Sequence, residues 1–126
     1  MQDITTVAVP ALQQLVGRGQ VWARMAAQYG VGSPVPPWKS SLDGMCDALD
    51  DECATLPPQT RRDDEDLLSN AVYAALPFPE SQLVALAHSL VGRGVIDEHA
   101  LATRMAAVRA RLEAGPLPVA EPQPPR

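Results

Sequence analysis

Two adjacent arginines, Arg61 and Arg62, stand inside the most acidic stretch of the chain and are the side chains best suited to chemistry. Residues 43–66 carry nine carboxylates against these two cations. A guanidinium stays charged and donates hydrogen bonds in a planar fork, so it suits planar oxyanions. Composition alone favours a plainer explanation, in which both arginines neutralise acidic neighbours on a solvated helix face.

The other candidate groups for chemistry are two cysteines and two histidines. Cys46 and Cys53 are seven residues apart, which on a continuous helix separates them by about 10.5 Å, beyond the roughly 7 Å that a disulfide spans. Their spacing and that of His88 and His99 do not match zinc sites. No Ser-His-Asp, Cys-His or buried paired-carboxylate pattern is evident. We therefore predict reduced cysteines, no metal in this chain and no catalysis by the chain alone.

The overall composition limits the possible partners and location. The chain has 126 residues and a net charge of −5, and only one of its ten cations is lysine. This balance argues against a nucleic-acid partner, which requires clustered cations. Without a run of apolar residues long enough for a bilayer, or a basic start followed by an apolar stretch, we expect a cytoplasmic protein with no membrane partner.

The elements that position these residues are predicted to be helices throughout, so the fold class is all-α. Apolar spacing predicts helices over 11–29 (interrupted by Gly17 and Gly19), about 40–54, 60–75, 81–91 and 98–112. Ser40 or Ser41, Ser81 and Asp97 are candidate caps. The last two helices should form an antiparallel hairpin, and the final helix should bury Leu101, Met105, Val108 and Leu112. We divide the chain into an extended arm, short helix and Pro-rich linker (1–37), a helical domain (38–115) and an extended Pro-rich tail (116–126).

From Trp38 to about Gly115 the chain resembles the helical, N-terminal half of nitrile hydratase β subunits and the short β subunit of thiocyanate hydrolase. The segment 71–78, Ala-Val-Tyr-Ala-Ala-Leu-Pro-Phe, stands where that family has an apolar stretch leading to Tyr-Tyr-Gly-x-Trp. Residues 90–97, Leu-Val-Gly-Arg-Gly-Val-Ile-Asp, resemble its Val-x-x-Gly-Val-x-Asp turn, and 101–111 its next helix. Arg62 falls where these subunits place an arginine at the start of an Arg-x-x-x-Glu helix, and here the acid four residues on is Asp66.

The resemblance implies a subunit of a heteromer that hydrates a nitrile to an amide. In that family an α-type subunit holds cobalt(III) or iron(III) in a Cys-x-x-Cys-Ser-Cys segment, and β-chain arginines hydrogen-bond to its oxidised cysteines. Arg62, with Arg61, is expected to take that role, with Asp66 holding the other edge of Arg62. Phe78 and Gln82 stand at positions of the aromatic motif and are expected to line the substrate channel. Alternatively, Phe78 anchors the core.

The chain also departs from the family pattern. Residues 1–37 match poorly, the aromatic motif is replaced by Phe-Pro-Glu-Ser-Gln at 78–82, and the β-barrel half is absent. A third subunit is therefore expected to supply the barrel, as in thiocyanate hydrolase or the three-subunit nitrile hydratase that acts on toyocamycin. The alternatives are a nitrile hydratase activator or metallochaperone, a thiocyanate hydrolase subunit, or an unrelated helical module whose acidic belt binds a basic partner.

Overall fold

The computed structural model describes residues 3–52 and 54–114. The described residues form helices and turns without a β-strand, which confirms the all-α fold class. After a 3₁₀ turn at Ile4–Thr6 the helices are α1 (Pro10–Gly17), α2 (Trp22–Gln28), α3 (Lys39–Asp51), α4 (Pro58–Asn70), α5 (Glu80–Gly92) and α6 (Glu98–Glu113). None of the described helices is long and apolar enough to cross a membrane.

The central helix is α5, which contributes side chains to two apolar clusters. One cluster joins Val84 and Ala85 to Ile4, Leu68 and Tyr73. The other joins Leu86 and Leu90 of α5 to Leu42 and Leu56. Because α3, α4 and the start of the chain all pack against α5, this helix fixes the relative positions of the elements that carry the arginines, Phe78 and Gln82.

The segment before α1 is part of the core, which corrects the expectation of an extended arm. Ile4 and Val9 are buried, and the Asp3 carboxylate accepts a hydrogen bond from the Thr5 backbone N–H at 3.0 Å. The Ile4 side chain packs so closely on Gly92 of α5 that a Cβ atom at residue 92 would overlap Ile4 Cδ1. A single buried isoleucine leaves no periodic signal in the sequence, so this packing was not evident there.

Helix boundaries follow the predictions with local differences. The predicted break between α1 and α2 is confirmed, and Gly19 in the break has a φ of +65°, which favours glycine. The Asp97 carboxylate caps α6 by accepting from Ala100 N–H at 2.9 Å, also as predicted. The serines do not cap: α3 follows Trp38 and α5 follows Pro79, each without a side-chain cap. Helix α4 starts two residues earlier than expected and ends at Asn70.

The last helix differs most from expectation. It follows α5 after a short turn, but none of its residues is buried. Leu101, Met105 and Val108 are half-buried, and Leu112 is exposed. Helix α6 contacts α1. The predicted apolar stripe of α6 exists, but the rest of the described chain leaves it partly exposed. Gly115 and the predicted tail 116–126 lie outside the described residues.

Candidate functional site

The candidate site is built on α4, whose inward face is charged. The buried residues of this helix are Arg61, Asp64, Glu65 and Leu68, which share one face by their helical spacing. Three of the four are ionisable, and charged groups are seldom buried without partners. The partners of these three side chains therefore determine what the surface beside them can do.

Arg61 points into the protein and is held by two carboxylates. Its side chain is 3% exposed, Nη1 donates to Glu65 Oε1 at 3.2 Å, and Nη2 pairs with Asp50 Oδ1 of α3. Burial opposes the charge on Arg61, but the hydrogen bond that Arg61 donates to Asp50 and the charge of Glu65 outweigh it and raise the arginine pKa. The buried Nε finds no acceptor among the described residues. Arg61 thus links α3 to α4 from inside the fold.

Arg62, one residue further on, points outward. Its side chain is 56% exposed, and Nη2 donates to Asp50 Oδ2 at 3.0 Å. The expected partner, Asp66, is exposed and is not the residue that Arg62 contacts. Asp50 therefore bridges the two arginines, one through each carboxylate oxygen. The hydrogen bond from Arg61, followed by that from Arg62, lowers the pKa of Asp50, so this carboxylate is ionised at neutral pH.

The pKa of Glu65 is shifted in the opposite direction from that of Asp50. Burial raises its pKa, and the charge and hydrogen bond of Arg61 only partly compensate. Burial and the charge of Glu65 likewise raise the pKa of the Cys46 thiol on α3. A thiol is nucleophilic as the thiolate, so this environment disfavours reactivity at Cys46. Cys46 is free. Its predicted companion, Cys53, lies outside the described residues, and α3 ends at Asp51 before reaching it.

Phe78 and Gln82 also lie against α3, Phe78 beside its first residue and Gln82 beside its middle. The Phe78 side chain is 69% exposed, with Lys39 Nζ 5.4 Å from its ring centroid. The alternative that Phe78 anchors the core is therefore wrong. Gln82 is half-buried, and its Nε2 lies 4.0 Å from Cys46 Sγ. Exposure leaves Phe78 able to contact a partner or a substrate.

One face of α3 thus connects all the predicted site residues. Lys39 contacts Phe78, Cys46 contacts Gln82, and Asp50 contacts both arginines. Eleven residues of helix correspond to roughly 16 Å along the axis at about 1.5 Å per residue. The arginines and Phe78 therefore lie toward opposite ends of α3, and they do not converge on one reacting atom within this chain.

Two polar clusters that include residues of α5, and a separate contact of Glu80 at its start, were not identified from the sequence. Asp64 accepts hydrogen bonds from Arg93 Nε at 2.9 Å, Arg93 Nη2 at 2.7 Å and Ser89 Oγ at 2.9 Å, which joins α4 to α5. Glu80 accepts from the Trp22 backbone N–H at 2.8 Å, at the start of α2. The sequence shows polar residues at core-facing helix positions, but helical spacing does not indicate which residues they hydrogen-bond with.

The second cluster is formed by His88, Tyr73 and the Ile4 carbonyl. His88 Nε2 lies 3.2 Å from Ile4 O, and Nδ1 lies 2.7 Å from Tyr73 Oη. Because a carbonyl only accepts, Nε2 carries the proton and Tyr73 donates to Nδ1. Burial lowers the pKa of His88 and raises that of Tyr73 to about 12. Both side chains are buried, so they hold the chain start in place and have no access to a substrate.

The described residues contain no group of three His, Cys, Asp or Glu side chains that could hold a metal ion. Comparisons of the chain with protein-family models, with curated proteins and with solved structures gave no match. The assignment to a class of protein therefore depends on the sequence resemblance and on the geometry of the α3–α4 surface, and it is made as a proposal.

Proposed function

We propose that this chain is a β-type subunit, without metal of its own, of a heteromeric nitrile hydratase. In this proposal it packs on a metal-binding α-type subunit whose Cys-x-x-Cys-Ser-Cys segment holds cobalt(III) or iron(III). The complex converts a nitrile and water to an amide. A third subunit provides the β-barrel half. The complex would work in the cytoplasm, without a nucleic-acid or membrane partner.

The observation that carries the proposal is the outward-facing guanidinium of Arg62. Asp50 holds one edge of it, and Asp50 is itself fixed by the buried Arg61. The exposed remainder of the guanidinium retains donors for an oxyanion on another protein. The oxygen atoms of oxidised cysteines are anionic or strongly polar and need fixed donors when an interface excludes water. Arg62 would orient and stabilise these ligands of the metal without touching the metal.

The other predicted site residues take different parts. Arg61 lies inside this chain and would act as a positioning residue, because it holds the carboxylate that orients Arg62. Phe78 lies toward the opposite end of α3 and Gln82 beside its middle, and both would line the approach of the nitrile. An exposed aromatic ring at that place provides an apolar contact for a substrate or for the partner surface.

The test is co-expression of this chain with α-type and barrel-type chains, followed by activity measurements on the purified complex. Arg62→Lys should leave the complex assembled and lose most of its turnover, because an ammonium cannot reproduce the planar fork. The matched control is Arg24→Lys, which changes another exposed arginine, one whose Nη1 donates to the Gly19 carbonyl at 3.1 Å, and which should keep full turnover. Unchanged turnover in Arg62→Lys would remove this arginine from the site.

A second candidate is a nitrile hydratase activator that delivers the metal and then leaves. It is favoured by the extent of the resemblance, because activators share the same helical region. Gel filtration separates the two functions: a subunit co-elutes with the active complex, whereas an activator is lost from it without loss of activity. A thiocyanate hydrolase subunit would be recognised by turnover of thiocyanate in place of a nitrile.

A further inference from the structure

A second surface, remote from Arg62 in sequence, lies on α6. The side chains of Leu101, Met105, Val108 and Leu112 follow one another at intervals of four, three and four residues. This spacing places an apolar seam along one helix face and is typical of helices that pack against another helix. No residue of α6 is buried, and Leu112 is 69% exposed. The seam is therefore incompletely covered by the rest of the described chain.

The seam forms one wall of an open groove, and α1 forms the other. The groove encloses about 1020 Å³, and Leu15 of α1 faces it together with Met105, Val108 and Leu112 of α6. Leu15 is itself 37% exposed. An apolar floor between two helices is the arrangement into which an amphipathic helix packs with residues at intervals of three and four.

The charges around this groove indicate the kind of helix that fits. Arg18, Arg104 and Arg109 line it, whereas its acids, Glu98 and Glu113, lie at the two ends of α6. Glu113 is paired with Arg109 at 2.6 Å. Arg104 and Arg109 flank the seam along its middle. Charges at such flanking positions select the partner of a packed helix.

The same charges disfavour the packing of α6 on α6 of a second copy of this chain. The positions that flank the seam of α6 are Ala102, Arg104, Arg109 and Arg111, none of which is acidic. Two copies of α6 packed on each other would therefore place arginine beside arginine, and like charges across a helix pair oppose association. A helix with carboxylates at its flanks would instead pair with these arginines.

We propose that the groove between α1 and α6 binds an amphipathic helix of a different polypeptide. That helix would present aliphatic side chains at alternating spacings of three and four residues, flanked by aspartate or glutamate. Leu15 and Leu112 would become buried against its aliphatic seam, and the arginines would set its orientation and speed its association. This docking surface does not include Arg62. In the proposed complex it would provide a second contact with another polypeptide.

The probes are two labelled helical peptides of about three heptads that share a leucine seam. One carries glutamate at the flanking positions and the other carries lysine. Binding to the full chain is measured by fluorescence anisotropy at low and at physiological salt. The glutamate peptide should bind at least about tenfold more tightly than the lysine peptide, and added salt should reduce that ratio.

Three variants assign the binding to this groove. Leu112→Asp should weaken the glutamate peptide at least about tenfold, and its exposure means that the fold tolerates the change. Leu67→Asp, which changes a 53% exposed leucine on α4, should leave binding unchanged. The double variant Arg104→Glu, Arg109→Glu should reverse the preference toward the lysine peptide. Circular dichroism of each variant checks that the helices are retained.

Several results would overturn the proposal. These are equal binding of both peptides, binding of neither, or equal losses in Leu112→Asp and Leu67→Asp. Self-association of the unmodified chain in sedimentation, abolished by Leu112→Asp, would assign the groove to a second copy. A tenfold gain in peptide affinity in Leu117→Asp would assign it to the chain's own C-terminal residues.

Discussion

Replacing Arg61 and Arg62 separately by methionine should produce opposite outcomes, although the two arginines are neighbours that share Asp50. Methionine retains much of the side-chain length and volume and removes the charge. Arg61→Met leaves Glu65 buried without its cation and frees one oxygen of Asp50. Arg62→Met removes an exposed ion pair from the surface. We expect the first to destabilise the fold and the second to leave its stability nearly unchanged.

The magnitude follows from burial. Removing one partner of a buried ion pair costs about 3–5 kcal/mol. Arg61→Met also removes the buried Nε that has no acceptor. Because an unsatisfied buried donor costs roughly 1–3 kcal/mol, its removal recovers part of the lost stability. We therefore expect Arg61→Met to lower the free energy of unfolding by about 2 kcal/mol. Arg62→Met, at an exposed site, should change it by no more than about 0.5 kcal/mol.

The pH dependence adds an independent check. Without Arg61, nothing opposes the effect of burial on Glu65, and its pKa rises further above the usual range. A protonated Glu65 no longer needs a cation, so the stability deficit of Arg61→Met should shrink as the pH falls from 7 toward about 5. Urea unfolding followed by circular dichroism at both pH values measures this. Equal losses in the two variants, or a deficit that does not change with pH, would refute the reasoning.

Three further predictions concern the fold. Gly92→Ala should lower the free energy of unfolding by about 1–3 kcal/mol because the added methyl group would overlap Ile4. Gly17→Ala should not lower it, because the space around residue 17 is open. Equal effects of the two substitutions in urea unfolding would contradict this prediction. Because burial lowers the pKa of His88, its neutral form stabilises the fold, and stability should fall as the pH drops below about 6.5, more steeply than in His88→Gln; parallel pH profiles would contradict it. Asp97→Ala should cost about 1 kcal/mol through loss of the α6 cap, and an unchanged thermal midpoint would show that the cap contributes nothing.

The elements were predictable where local signals were strong. Periodic apolar residues identified α3, α5 and α6, and Asp97 marked the start of α6. Periodicity identifies which residues share a face but not whether another element covers that face. The stripe on α6 was therefore located correctly, and its burial was wrongly expected.

The candidate site was predictable only in part. The sequence identified the adjacent arginines and their suitability for an oxyanion. It could not distinguish the buried Arg61 from the exposed Arg62, because a charged residue at an inward position of α4 looks the same as one on a solvated surface. The pairing with Asp50 joins residues 11 and 12 positions apart on different helices. Such a contact depends on how α3 and α4 pack, whereas the expected Arg62–Asp66 pair followed only the local helix spacing.

The most direct test of the central claim is a structure of this chain in complex with its metal-bearing partner. The proposal predicts that the Arg62 guanidinium lies about 2.7–2.9 Å from an oxygen of an oxidised cysteine ligand. It also predicts that Asp50 and Arg61 remain in place behind Arg62. A complex in which Arg62 faces open solvent, away from every subunit contact, would contradict the account.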